Sequence, residues 1–491
     1  MRAVRYVEAV RGFALLAGLA LVLAMPVTPA RAEDASEGVV PGPANDFGPL
    51  LAIERIEITG NTITQTELVR RALPIQPGDV LRASDRRLRD IRFKLLALGF
   101  FRDVAVVMDK GSTRGAVILK IAVVERGTVV LHNLWFGSTT LSPYWLGLDV
   151  GERNLLGLGF GVGAAFIYAA NNGDVVGSRE QWASELRVGD PSLYGSRWGA
   201  NGAMTLVRGS EPYRVSGTGN DPSELRAFPY RRFGGRGGVT YNATPLTRLG
   251  ASLGLDQLAA DLPIAPTQEL PDGRTVALDL HLEPGSSRVV TAGFSLDRDT
   301  RPDPILPHSG GHFALAAEVG SVLFGGDYQY ATLYGRYEHY WPLLGARHAI
   351  ALKLAGGVVI GDAPRFERIH IADVDRMLTP RALGLVLSTA APLDILGTRS
   401  NKPLYGDLGG IASVEYTVKL FRGHGIKRVY GGDLFAGAGL WGLAETPDLR
   451  ARDTSLWDAV PIDLYVDAGV RVDTDVGVFE LTLANALGRL R

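Results

Sequence analysis

Apolar and polar residues alternate with a period of two over most of this chain, but not over its first quarter. Clear alternating segments are Gly159–Ala169, Ala183–Val188, Trp198–Val207, Gly238–Asn242, Thr247–Leu255, Val276–Leu282 and Val289–Asp297. The series continues through His312–Ser321, Tyr328–Trp341, His348–Ile360, Ile411–Leu420, Val429–Trp441, Asp463–Val472 and Val478–Leu487. Such alternation predicts strands with one apolar face and one small or polar face. In His348–Ile360 the apolar face is Ile350, Leu352, Leu354, Val358 and Ile360, and the other is Ala349, Ala351, Lys353, Ala355 and Gly357. In Asp463–Val472, Leu464, Val466, Ala468, Val470 and Val472 alternate with Asp463, Tyr465, Asp467 and Arg471.

With short segments before Asn154 and another within residues 380–390, the strand count comes near sixteen. Tight gaps such as "PLLGA" alternate crudely with long ones such as residues 362–384, as in a transmembrane barrel with short turns on one side. Tyr337, Tyr340, Trp341, Trp441 and Trp457 cluster near segment ends, where interfacial girdles form. The pattern predicts a mainly β protein whose residues 127–491 form an antiparallel barrel of about sixteen strands.

Residues 51–126 read differently. "IERIEITGN" is a strand ending in a turn, and Thr64–Glu67 has the spacing of a capping box. Ser84 is placed to cap a second helix, in which Leu88, Ile91, Leu95 and Leu98 share one stripe. Gly99 stops it, and strands Phe101–Met108 and Ala116–Val124 follow. The order strand, helix, helix, strand, strand predicts a small α+β domain built on three strands.

Arg2, Arg5 and Arg11 precede the apolar run Phe13–Met25, and "ARA" ends at Ala32. Residues 1–32 therefore read as a secretory signal and the Pro/Gly-rich residues 33–50 as a linker. Net charge is −1, which offers no field for nucleic acid. The chain has no cysteine, so it forms neither disulfides nor thiolate sites. "PHSGGH" sets Ser309 between two histidines, but no G-x-S-x-G elbow and no H-E-x-x-H occur. "FGGRGGV" lacks the Lys-Ser/Thr of a phosphate loop. The residues therefore predict no enzyme, cofactor or metal.

Three motifs carry a family resemblance. "GFSLDRDTRPDPILPHSGGHFALAAE" resembles the strand–turn–strand element of the BamA/TamA superfamily of outer-membrane assembly and translocation barrels (the bacterial surface antigen type). Asp299, Thr300, Arg301, Pro307 and Gly310 are its matching positions. Residues 51–126 look like a single POTRA domain, with Gly60, Asn61, Gly78, Gly99, Phe100 and Phe101 in place. "ERNLLGLGFGVGAAF" is similar to the opening of such barrels. The resemblance implies a non-catalytic outer-membrane protein with its POTRA domain in the periplasm. Its implied role is to aid polypeptide insertion or translocation, capturing clients by strand addition at Phe101–Met108 or Ile53–Thr59. Implied partners are the bilayer, unfolded or secreted polypeptides, and periplasmic or lipoprotein accessory factors. A dedicated secretion pore, or a passive porin or surface antigen with a vestigial POTRA domain, is the alternative.

The family's lumen loop has an Arg-Gly-aromatic element. Here Arg381 matches the arginine, while Ala382 and Leu383 replace the others. Glu415, on the lumen face by parity, is its implied acidic partner, the two locking the loop. Phe479, Leu481, Leu483 and Leu487 are expected to face outward on the last strand, although the chain ends on Arg491 rather than an aromatic residue.

Overall fold

The computed structural model describes residues 49–139, 141–217, 221–270, 273–343, 345, 347–374, 381–388, 405–426, 428–445 and 462–489. The expected signal (residues 1–32) and most of the expected linker, as well as Trp457, lie outside these residues. The small domain runs β1 (Leu51–Thr59), α1 (Thr66–Ala72), β2 (Val80–Leu81), α2 (Arg86–Ala97), β3 (Phe101–Lys110) and β4 (Ala116–Glu125). Its sheet order is β2–β1–β4–β3, with only β1 and β4 parallel. The sheet has four strands rather than three, because the Pro77-Gly78-Asp79 turn returns the chain along Leu51 and Ala52.

Ile53, Val69, Ile91, Leu95, Phe100, Leu119 and Ile121 are fully buried between helices and sheet. Each contributes about 2 kcal/mol by leaving water. Two caps differ from expectation. Asp85, not Ser84, caps α2 by accepting from the Arg87 N–H at 2.9 Å. The capping box at Thr64 does not form, because α1 starts at Thr66 and the Thr64 hydroxyl accepts instead from Asn154 Nδ2 at 2.9 Å.

The second body is one antiparallel sheet curled nearly closed. Its strands are β5 (Val129–Gly137), β6 (Trp145–Leu155), β7 (Phe160–Ala169), β8 (Gln181–Asp190), β9 (Trp198–Arg214), β10 (Leu225–Thr244) and β11 (Thr247–Ala260). After a loop hairpin, β12 (Thr267–Glu269) and β13 (Thr275–Ala277), come β14 (Gly285–Asp299), β15 (Gly310–Gly320), β16 (Gln329–Leu343) and β17 (His348–Asp362). A long loop holds β18 (Ile369–His370), α3 (Ile371–Val374), β19 (Arg381–Ala382), β20 (Leu385–Val386) and β21 (Tyr405–Gly406). The wall ends with β22 (Leu408–Ile426), β23 (Val429–Ala444), β24 (Ile462–Thr474) and β25 (Gly477–Arg489).

The wall has fifteen strands among the described residues, not sixteen. Val276–Leu282 and the segment within 380–390 alternate for another reason. Leu278, Leu280, Leu282, Ala382, Leu385 and Leu387 pack together in a core under the far-end loops, so their apolar face meets protein instead of lipid. Elsewhere the alternation has its expected meaning. Phe166, Leu186, Leu206, Leu253, Phe294, Val414, Leu481 and Leu483 are exposed on the outer face. Inward positions carry ion pairs such as Arg236–Glu318 (2.7 Å) and Arg471–Glu415 (2.6 Å). Leu487 departs from the row. It is the extra residue of a bulge opposite Leu464 and Tyr465 and is half-buried.

Candidate functional site

The loop between β17 and β22 folds into the barrel and crosses to the opposite wall, β8–β10. Arg365 Nε donates to Glu211 Oε1 at 2.9 Å and its Nη2 to the Pro212 carbonyl at 3.0 Å. Glu211 is fully buried. Arg232 Nη2 donates to Glu367 Oε1 at 2.6 Å, and Arg232 Nε to Asp256 at 2.9 Å. Tyr230 stacks against Phe366 with centroids 4.4 Å apart and donates to the Gly384 carbonyl at 3.3 Å. Gln181 and Thr139 donate to the Val386 and Leu387 carbonyls at 3.4 and 2.6 Å. β9 and β10 have 17 and 20 residues, longer than the ~10 that span a bilayer. The surplus supplies the wall to which the loop is pinned.

The expected pair Arg381–Glu415 is not made. Arg381 Nη1 donates to both Asp373 carboxylate oxygens at 3.2 Å, within the loop itself, and its guanidinium lies 6.0 Å from the Tyr405 ring centre. Glu415 is buried on the lumen face, as parity indicated, but is taken by Arg471 (2.6 and 2.7 Å) and Lys353 (2.7 Å). With Arg471 and Lys353 both on inward positions, Glu415 finds its counter-charges within the wall. The loop's attachment passes to Arg365, which also lies 4.4 Å over the Tyr405 ring. Arg365, Glu211, Arg232 and Glu367 escaped the sequence reading; the run "RFER" at a strand end was their one visible trace. Between this loop and β16–β25 remains a cavity of about 920 Å³, its lining including Arg336, Lys353, Glu415, Asp467 and Arg471.

The turn that follows β14 lies at the near end, where the small domain enters. Arg301 doubles back onto Asp299 (2.9 and 2.7 Å) and reaches Glu338 (3.4 Å). Thr300 and Gly311 exchange backbone and hydroxyl hydrogen bonds, and Gly310 holds φ +84° between them. Around Pro307 the turn runs inward across the barrel mouth. Leu306 is buried, its carbonyl accepting from Arg422 Nη2 at 3.3 Å, and His308 Nε2 meets Asp433 Oδ2 at 3.0 Å. His312 pairs with Asp297 (2.8 Å). Among the described residues no hydrogen bond joins Ser309 to either histidine, so the hydrolase geometry is not assembled.

The seam lies between β5 and β25. These strands run in the same direction, and among the described residues their backbones are joined near the start of each, where the Leu131 N–H donates to the carbonyl of Val476, just before β25, at 2.8 Å. Among the described residues no ladder joins them. The small domain sits beneath this point and grips both sides. On one side Gln65 N–H donates to the Gly157 carbonyl (3.0 Å); on the other Arg126 pairs with Asp473 (3.8 Å) and Gly127 N–H donates to Asp475 (3.2 Å). Gly60 turns the chain at φ +88°, against the Val123 carbonyl, and Asn61 Nδ2 donates to the Thr64 carbonyl at 2.9 Å. Gly78 and Gly99 hold positive φ in the turns beyond α1 and α2. Phe100 and Phe101 stack edge to face at 4.9 Å. Glu125 closes the same corner. Burial opposes its charge, yet bonds from Thr62, Ile63 and Thr64 outweigh this and bring its carboxyl to about 2. β3 is a free edge along its whole length, whereas β1 is flanked by β4 and, at Leu51 and Ala52, by β2.

Comparison with known proteins agrees with this architecture. A search of curated protein sequences finds no match. The structure is similar to BamA from Haemophilus ducreyi lacking POTRA domains 1-3, at 14% identity and a TM-score of 0.50, over 90% of this chain and 82% of that one. It is similar also to CdiB from Escherichia coli, at 13% identity and a TM-score of 0.57, over 90% and 73% of the two chains. Both likenesses concern the fold. Residues 51–126 match the POTRA family described as a surface antigen variable number repeat. Residues 154–490 match the Omp85 superfamily domain, and the chain belongs to that superfamily of outer-membrane β-barrel proteins.

Proposed function

We propose that this protein aids the insertion or translocation of polypeptides at the bacterial outer membrane, without catalysis, and that its seam is where they engage. The observation that carries this reading is that, among the described residues, a single backbone hydrogen bond, Leu131 to Val476, joins two strand edges that are otherwise unladdered. Because β5 and β25 run in the same direction, one strand inserted between them runs antiparallel to both and satisfies both edges. The POTRA domain, in the periplasm, presents β3 beside this point and captures extended polypeptide by strand addition. Photocrosslinking in vivo from β3 and from Val478–Leu487 tests the reading. Adducts with unfolded outer-membrane or secreted proteins support it; adducts with lipid and self alone refute it.

A second reading, a dedicated secretion pore, draws on the polar cavity of about 920 Å³ beside the lumen loop. A disulfide between Leu131→Cys and Val476→Cys separates the two. It blocks clients that use the seam and leaves axial passage intact.

A further inference from the structure

Two neighbouring turns at the near end share an unusual feature. Leu156 and Tyr194 hold φ +55° and +53°, each followed by a glycine with positive φ, Gly157 and Gly195. Asparagine and glycine are the residues that adopt this backbone with least strain, and two such positions in succession favour them further. Yet the chain places a leucine and a tyrosine there, and leaves them 78% and 88% exposed. Neither buries its side chain against the protein in return for the strain.

The two turns flank the same part of the POTRA domain. Gly157 abuts the Ile63 carbonyl, and Gly195 abuts the backbone of Arg71 at the end of α1. Ile63 is itself 57% exposed and Leu158 is 51% exposed. Ile63, Leu156, Leu158 and Tyr194 thus form an apolar ledge shared by the domain and the barrel. Directly above it begins the lipid-facing wall, with Phe160, Val188 and Trp198 exposed and Trp198 packed on Tyr241 at 4.9 Å. An aromatic pair at strand ends marks the depth of a bilayer interface. The ledge continues that interface one turn beyond the strands. Arg197 is exposed beside it, and Arg71, held by Glu67 at 3.0 Å, is half-exposed. Both stand where lipid headgroups would lie.

We propose that this ledge is seated in the bilayer interface on the POTRA side, so that phospholipid holds the domain beneath β6–β9 on one flank of the seam. The occupant is lipid because the ledge is continuous with the lipid-facing wall and carries cations at its rim. The proposal does not depend on the nature of any client.

The absence of cysteine makes the test direct. Single variants Ile63→Cys, Leu156→Cys, Leu158→Cys and Tyr194→Cys of the full chain, labelled with an environment-sensitive fluorophore, are refolded into phosphatidylcholine/phosphatidylglycerol vesicles. Val107→Cys on the exposed face of β3 is the control. Folded barrel is selected by its heat-modifiable gel migration, and Ile63 and Leu158, outside the two strained positions, keep the test open if a turn variant misfolds. Doxyl lipids labelled near the headgroup are expected to quench the ledge positions several-fold more than Val107. Equal quenching at ledge and control overturns the proposal. So does shielding of the ledge that appears only after periplasmic protein is added, since the occupant is then a protein.

Discussion

Removing the charge of Glu211 should loosen the lumen loop, whereas removing Arg381 should not. Glu211 is fully buried, and Arg365 leaves only 11% of its side chain exposed. Taking one partner from a buried pair strands the other charge, at a cost of about 3–5 kcal/mol. Glu211→Gln is milder. Its amide oxygen keeps a hydrogen bond, and the Pro212 carbonyl and Tyr405 ring still hold the guanidinium. The loss is then about 2 kcal/mol, the difference between a charged and a neutral hydrogen bond with partial compensation. At about 1.4 kcal/mol per tenfold, the population with the loop released rises roughly 30-fold. Arg365→Ala leaves the buried Glu211 carboxyl without its partner, and should raise that population a few hundred-fold, on the order of 3–4 kcal/mol. Arg381 contacts Asp373, a carboxylate 45% exposed and in the same loop, so Arg381→Ala should cost under about 1 kcal/mol. Planar-bilayer recording reads the released state as the fraction of time in the large-conductance state. An Arg381→Ala channel as active as Arg365→Ala, or a Glu211→Gln channel indistinguishable from wild type, would refute the assignment of the anchor.

Other tests follow from single positions. A Cβ at Gly310 would lie 2.6 Å from the Thr300 carbonyl at φ +84°, so Gly310→Ala should lower barrel stability by about 1–3 kcal/mol, read as a lower urea midpoint. Glu125 has a folded-state pKa of about 2, below its ordinary 4.5, so its contribution is present above pH 4.5 and lost as pH falls towards 2. Because the group is partly exposed, screening leaves at most about 1 kcal/mol. Amide exchange at Ile63 and Thr64, corrected for intrinsic rate, should speed up on acidification and be fast already at neutral pH in Glu125→Gln. Ser309→Ala should leave any lipid hydrolysis by the purified protein unchanged; a loss would restore the hydrolase reading.

How far the sequence was legible depends on what its alternation faces. Outer positions such as Leu352, Val466 and Leu481 were readable because lipid demands apolar side chains and the lumen tolerates Ala349 or Asp467. Val276–Leu282 misled for the same reason, since an apolar row packed on a lumen loop has the same period as one facing lipid. Parity found Glu415 but not its partner. Lys353 and Arg471 also lie inward, and which cation reaches the carboxylate depends on register across β17, β22, β23 and β24, which parity does not contain. Arg365 and Glu211 are 154 residues apart, and nothing local in either segment joins them. The caps failed by one or two residues, where neighbouring polar side chains compete for the same N–H groups.

The two obstructions of the barrel bear on which route the proposed polypeptide clients would take. The far-end loop is attached to the opposite wall through Arg365–Glu211 and Arg232–Glu367, and its Leu385, Val386 and Leu387 are buried. The near-end turn crosses the mouth and is held by His308–Asp433 and Arg422. An axial route must break both sets: the Arg365–Glu211 pair is shielded from water, where separation costs about 3–5 kcal/mol, and the near-end set adds two further hydrogen bonds. Opening the seam breaks one neutral backbone hydrogen bond, about 1 kcal/mol. It also separates the POTRA contacts on the β25 flank, Arg126–Asp473 and Gly127–Asp475, from those at Gly157 on the other. The energetic ordering favours the seam, and it makes a paired prediction. Asp475→Ala, which removes a contact across the seam, should increase client crosslinking at Val478–Leu487 without altering conductance, whereas Glu211→Gln should do the reverse. If both variants moved both readouts together, seam and lumen would be one coupled gate, and the case for a separate lateral route would fail.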